Sequence, residues 1–139
     1  VKLSTRVRYG MRALVDLAGH YGERPQLIKD VARREGISQH YLEQIVIVLR
    51  SAGLVKSIRG AKGGIILAKA PSQIRLSEVM RVLEGSTAPV ECVDDASVCN
   101  RSPYCVMRDV WSEMKGAING VLDGKTLQEL VDRQGYGAD

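Results

Sequence analysis

The chain has 139 residues, 45% of them hydrophobic and 26% charged, with aromatic residues at 4% and no Phe. That suits one compact domain, or a small domain with an arm that packs on a partner, and its core must be built from aliphatic side chains and Met. The net charge of +4 favours an anionic partner without establishing one. No stretch approaches the run of about 18 apolar residues that a spanning helix requires, and no signal-peptide pattern opens the sequence. A cytoplasmic protein with no membrane partner is expected.

Apolar residues at Leu3, Val7, Met11, Leu14, Leu17, Ala18 and Tyr21 give a first helix with one buried face. Gly22 and Pro25 break it. A short second helix follows, with Leu27, Val31 and Ile28 as inward candidates and Gly36 as its stop. A third helix has Ser38 as N-cap, a stripe of Tyr41, Leu42, Ile45, Val48 and Leu49, and Gly53 as its end. Its "IVIV" run could form a strand alone, but the flanking residues and the length favour helix.

Two β-prone runs, 54–58 and 65–68, flank "RGAKGG" and predict a hairpin with a basic, Gly-rich tip. "LSEVMRVLEG" predicts a fourth helix ending near Gly85. A segment without helical or strand period follows, and a long helix starts near Pro103. Met107, Val110, Trp111, Met114, Ala117, Ile118 and Val121 share one side of it. Thr126 with Glu129 predicts a capping box before a last short helix, "LQELVDR".

The expected fold class is mainly α with a small β-hairpin: a winged helix-turn-helix domain plus a long C-terminal dimerisation helix. The division is 1–85 for the DNA-binding domain, 86–105 for a cysteine-containing loop, and 106–139 for the dimerisation helix and the C-terminal helix. The link "EGIS" between the second and third helices has the length of a helix-turn-helix turn, with Gly36 permitting a left-handed backbone.

In that arrangement the third helix enters the major groove of double-stranded DNA. Ser38, Gln39, His40, Glu43 and Gln44 are its outward residues; Gln can pair with adenine, and a carboxylate can accept from cytosine or penalise wrong sequences. The hairpin tip adds Lys56, Arg59 and Lys62, with Arg59 suited to a narrow minor groove. Arg6, Arg8 and Arg12 are candidates for phosphate contacts.

All three cysteines lie in "ECVDDASVCNRSPYC", at Cys92, Cys99 and Cys105. Zinc knuckles use Cys pairs two to four residues apart, and neither gap matches. Wider spacings suit an iron–sulfur cluster, whose ligands reach around a larger object. A disulfide switch that leaves one thiol over, zinc, and inert thiols are the alternatives. A redox enzyme is a rival class, but there is no Cys-x-x-Cys motif and no Gly-rich cofactor loop. An adaptor that binds a protein through its C-terminal half is another.

"LSTRVRYGMRALVDLA", "GISQHYLEQI", "LRSAGLVKSIRGAKGG", "LSEVMRVLEG", the three cysteines and "TLQELV" together resemble the IscR-type iron–sulfur cluster regulators. The resemblance spans nearly the whole chain. It implies a homodimer in which each long helix crosses its partner, and a 2Fe–2S cluster between that helix and the DNA-binding domain. It implies repression of cluster-assembly genes, with related members sensing nitric oxide, iron or cysteine metabolism. By position it assigns cluster ligation to Cys92, Cys99 and Cys105, and DNA reading to Ser38, His40, Glu43, Gln44 and Arg59.

Two positions depart from the pattern. Ile65 stands where the wing usually has Tyr or Phe, and Arg108 stands where members of this type often place a ligand His three residues after the last Cys. Only His20 and His40 exist in the chain. His20, near the end of the first helix, is expected to be solvated or capping. His40 opens the recognition helix, the part of the DNA-binding domain that the resemblance places nearest the cluster, and is the expected fourth ligand, with Glu43, Asp109 or another carboxylate, or a residue of the second subunit as alternatives. Arg8 occupies the place where nitric-oxide-sensing relatives can use an acidic ligand.

Overall fold

Ser4 starts the first helix: its hydroxyl accepts from the Val7 amide at 3.2 Å. In the computed structural model, which describes residues 1–137, α1 then runs Thr5–Gly19. It buries Val7, Ala13, Leu14, Leu17 and Ala18. Leu3 and Tyr21 fall outside the helix and are exposed, so the apolar face is shorter than its sequence pattern suggested.

Helix α2, Ile28–Glu35, buries Val31 and Ala32 and stops at Gly36, whose φ of 65° is left-handed. Leu27 is the exposed N-cap rather than an inward residue. Ile37 is buried in the turn, and Ser38 accepts from the Tyr41 amide at 3.1 Å to open α3, Gln39–Ser51. Leu42, Ile45, Val46 and Leu49 face the core, so "IVIV" is helical, with its side chains divided between core and surface.

Strands β1, Val55–Ile58, and β2, Gly64–Leu67, pair antiparallel with Val55 opposite Leu67 and Ser57 opposite Ile65. The far edge of β2 is also covered. Ile65 and Gln26 exchange backbone hydrogen bonds of 2.8 and 3.0 Å, which pins the wing to the segment before α2. Gly64 is required there: its φ is 149°, and a Cβ would collide with the Gln26 carbonyl.

A single 3-10 turn, Pro71–Gln73, leads to α4, Leu76–Leu83, which completes the core with Leu76, Val79, Met80 and Leu83. The long helix α5, Val106–Asp123, packs beside α4 but has no buried residue. Helix α6, Leu127–Gly137, returns to the first half of the chain. It rests on α1 and on the Pro71–Gln73 turn.

Leu127 is fully buried, its amide donates to the Ile74 carbonyl at 3.0 Å, and the Leu76 amide donates to Lys125 at 3.0 Å. Leu122, Leu130 and Val131 pack against the same core. Residues 106–139 were expected to group together, but α6 is physically part of the core formed by residues 1–85. The cysteine segment and most of α5 stand outside it, with Leu122 at the end of α5 packed against it. The capping box is half formed: Thr126 accepts from the Glu129 amide at 3.3 Å, while the Glu129 carboxylate accepts from Arg133.

Candidate nucleic-acid interface and cysteine loop

A charged contact ties α1 to the helix-turn-helix. Arg34 donates to both oxygens of Asp16 at 2.9 and 2.7 Å and to Gln26 Oε1 at 3.0 Å. The bond to Asp16 holds the Arg34 guanidinium above its usual pKa. Beside it, burial first and then the neighbouring Asp16 raise Glu35 above the usual carboxylate range, against the opposing pull of Arg12. Arg12 Nε lies 3.6 Å from Glu35 and its guanidinium stacks over Tyr9. Tyr9 in turn meets Tyr41 of α3 edge to face, with ring centres 5.9 Å apart. Arg12, expected to be a phosphate contact, therefore already has partners within the fold. Arg6 and Arg8 are exposed.

On α3 the base-facing candidates occupy the first turn and a half. Ser38 has committed its oxygen to the cap, which leaves its hydroxyl proton available. Gln39 donates to Glu43 Oε1 at 3.2 Å, one turn along. His40 and Gln44 are exposed. In the wing Lys56, Arg59 and Lys62 are all exposed, and none has an ion-pair partner among the described residues. A connection not read from the sequence joins the two surfaces: Arg50 near the end of α3 donates to Ser57 of β1 at 2.8 Å. The wing is thereby fastened to α3 as well as to Gln26.

The cysteine segment consists of three short 3-10 turns, Glu91–Val93, Ala96–Val98 and Ser102–Tyr104. Cys92 is central in the first turn, Cys99 follows the second, and Cys105 follows the third and is the N-cap of α5. All three are free thiols; Cys92 and Cys105 are half-buried and Cys99 is exposed.

Three side chains on one face of α5 hold this segment. Asn119 is bonded to Thr87 at 2.7 Å, Lys115 donates to Asp94 at 2.7 Å, and Arg108 Nε donates to the Cys92 carbonyl at 2.9 Å. The bond from Lys115 depresses the Asp94 carboxyl below its ordinary value, and Ser97 does the same to Asp95. Spacings of 7 and 4 residues put Arg108, Lys115 and Asn119 within one narrow strip of the helix. The apolar residues Met107, Val110 and Val121 lie on other faces, exposed.

Thiolates are suitable ligands for iron–sulfur clusters, and the three cysteines would supply three of the four protein ligands that such a cluster uses. Ser102, between Cys99 and Cys105, is the one buried polar residue among the described residues, and its hydroxyl has no hydrogen-bond partner. An orphaned donor of this kind fits a site designed to hold an anionic group. Among the described residues, however, no three His, Cys, Asp or Glu side chains converge to hold a metal ion. Within one chain, then, the three cysteines are not gathered on one point, and neither His40, Glu43 nor Asp109 completes a set with two of them. His20 is the C-cap of α1, with its Nδ1 buried and 3.9 Å from Glu23.

The family model described as Rrf2, an iron-dependent transcriptional regulator, matches residues 3–133. Protein rrf2 of Nitratidesulfovibrio vulgaris (Hildenborough) is 44% identical over 131 residues, covering 94% of this chain and 87% of its own. The HTH-type transcriptional regulator CymR of Bacillus subtilis is 42% identical over 131 residues, covering 94% and 90%. The solved structure of IscR from T. potens is 42% identical and superimposes with a TM-score of 0.81, covering 96% of this chain and 88% of that one. The family model and CymR carry the names of transcriptional regulators, and none of the names is that of an enzyme.

Proposed function

The chain belongs to the Rrf2 family of transcriptional regulators, and from that premise we propose that it is a homodimeric repressor whose cysteine loop holds a 2Fe–2S cluster. The observation that carries this reading is the loop itself. Three free thiols and an unpartnered buried hydroxyl sit on a segment outside the core, joined at several points to α5. Cys105 caps an 18-residue helix, and the N-terminal end of a helix favours negative charge such as that of a thiolate-held group.

The roles divide by element. Cys92, Cys99 and Cys105 supply three ligands; the fourth falls to His40 first, then to Glu43, Asp109 or a residue of a second copy. A bound cluster supplies a redox- and iron-sensitive occupant, and imidazole in place of a thiolate raises its potential. Ser38, Gln39, His40, Glu43 and Gln44 read base edges, and Lys56, Arg59 and Lys62 hold the flanking groove and backbone. If His40 is shared between ligation and base reading, cluster occupancy and sequence preference are coupled through one side chain. Cluster-assembly genes are the regulated class, in line with the resemblance to IscR. The exposed apolar strip of α5, with Met107, Val110 and Val121, is the dimer surface. A cytoplasmic site of action, as suits a DNA-binding regulator, is part of the same reading; among the described residues no helix is long and apolar enough to cross a membrane.

A second reading has its own observation. Cys99 is exposed and free, and the structure of B. subtilis CymR, described as the global cysteine regulator, matches this fold with a TM-score of 0.81. Here the same loop would act as a thiol switch without iron.

One experiment separates the two. Protein purified without oxygen is assayed for iron, sulfide and visible absorption, and its binding to DNA selected from a random pool is compared in the loaded, apo and oxidised states. Iron and sulfide in equal amounts, a structured visible spectrum and loss of both in Cys92→Ser, Cys99→Ser and Cys105→Ser establish the cluster. Iron-free protein whose DNA binding responds to reversible loss of thiols establishes the switch.

A further inference from the structure

The side chain of Arg108 bonds the Cys92 carbonyl at 2.9 Å, and its own backbone amide bonds the Cys105 carbonyl at 3.2 Å. The amide bond is the ordinary first-turn bond of α5, so it is the side chain that ties Cys92 to the turn that Cys105 opens. These are the two half-buried cysteines, while Cys99, which lies between them and is bonded by neither group, is exposed.

We propose that Arg108 is a positioning residue that ties the Cys92 backbone to the turn at which Cys105 opens α5, so that these two cysteines are ordered before the bound group arrives and the exposed Cys99 is ordered with it. The proposal deepens the cluster reading given above and rests on it for the identity of the bound group.

The physical argument starts from the weakness of the loop. It buries only Ser102, and its backbone is secured by isolated turns. Such a segment opens easily, because little apolar contact resists it. A bond from a charged donor to a carbonyl is worth more than a neutral one, and this one is partly buried. It closes a loop of 16 residues onto the first turn of α5, so the ordering of Cys92 is made in advance rather than at binding. Lys115 and Asn119 hold neighbouring points, Asp94 and Thr87, without bonding to a cysteine. In this chain the residue three places after the last cysteine thus acts on the backbone of the loop, and ligation is left to other groups. The same cation stands near a site that binds an anion, which adds favourable charge.

The test uses full-length protein, reduced and free of metal, with the alkylation rate of each cysteine by iodoacetamide read by mass spectrometry. Arg108→Ala should raise the Cys92 rate by about tenfold, the weight of one hydrogen bond from a charged donor, with Cys99 unchanged and Arg108→Lys intermediate. Loss of positive charge alone would disfavour thiolate and slow alkylation, so the sign of the change separates a staple from a charge effect. Arg101→Ala, which removes an exposed cation of the same loop, is the charge control. An unchanged or slower Cys92 rate in both Arg108 variants overturns the proposal. If Arg108→Ala does not fold, as judged by circular dichroism, Arg108→Lys alone decides it by the same criterion.

Iron and sulfide content after anaerobic reconstitution is the second readout. Wild-type protein that takes up neither defeats the cluster reading, while the alkylation rates still decide the staple. Wild-type loading with equal loading and an identical visible spectrum in Arg108→Ala keeps the cluster and overturns the role of Arg108.

Discussion

Arg34 on α2 grips Asp16 on α1 through two parallel hydrogen bonds, 2.9 Å from Nε to Oδ2 and 2.7 Å from Nη2 to Oδ1. The Asp16 side chain is only 5% exposed. This two-pronged contact ties the last turn of α2 to α1, just before the Gly36 turn that leads into α3. Removing Asp16 leaves a guanidinium facing a partly closed site. Asp16→Ala should lower unfolding free energy by about 2 kcal/mol, less than the cost for a fully buried pair because Arg34 remains partly solvated. Urea denaturation checks it, and Asp16→Asn should lose less, since it keeps one acceptor.

Glu35 lies in the same cluster and has the opposite sign. Burial and Asp16 hold its pKa above the ordinary Glu value in the folded protein. A carboxyl whose folded pKa is raised favours the fold while protonated, below the unfolded value, and that benefit is lost as pH rises through the folded value. Glu35→Gln removes the loss. The variant should gain stability relative to the parent as pH rises from the unfolded Glu range through the raised folded pKa, and the gain should vanish below that window. Thermal melts across pH 3 to 8 (about the span over which carboxylates titrate in folded proteins) measure it.

Arg59 stands exposed near the tip of the wing, after β1. If it contacts a base, Arg59→Ala should weaken binding to a selected operator by roughly 1–3 kcal/mol. If it touches phosphate alone, specific and non-specific DNA should weaken alike, and the slope of log K against log salt should fall by about 0.9. Fluorescence anisotropy at several salt concentrations distinguishes these, and unchanged affinity removes Arg59 from the interface.

Val110 is 41% exposed on α5, between Met107 and Trp111 on a helix with no buried residue. Val110→Glu should yield a monomer by sedimentation with a melting temperature close to that of the parent, since the core formed by α1 to α4 and α6 does not use it. Trp111→Glu should also dissociate the dimer, with some loss of stability because Trp111 is half-buried. A Val110→Glu protein that remains dimeric assigns the dimer surface elsewhere.

Much of the helical framework was legible because its determinants are local. Ser38 caps the helix it precedes, Gly36 ends α2 in a left-handed conformation, and the 3.6-residue period of Leu14, Leu17 and Ala18 marks a buried face. The hairpin could be read for the same reason, since β-prone runs around a Gly-rich turn need few distant contacts. Residues at the ends of these patterns were misread. Leu3, Tyr21 and Leu27 are apolar and in phase, but the helix ends before the chain can bury them.

Sequence by itself also determined the inventory of the site: three cysteines, two histidines and a polar first turn on α3. Only the tertiary structure decided how the inventory is connected. Asp16 and Arg34 are 18 residues apart, Arg108 and Cys92 are 16 apart, and Leu127 enters a core that begins at Val7. No period or motif encodes such pairs, because each depends on where two separately stable elements come to rest against each other. Arg108 shows the difference most directly: along the chain it is a missing histidine, and in the fold it holds the backbone on which two of the thiols are mounted.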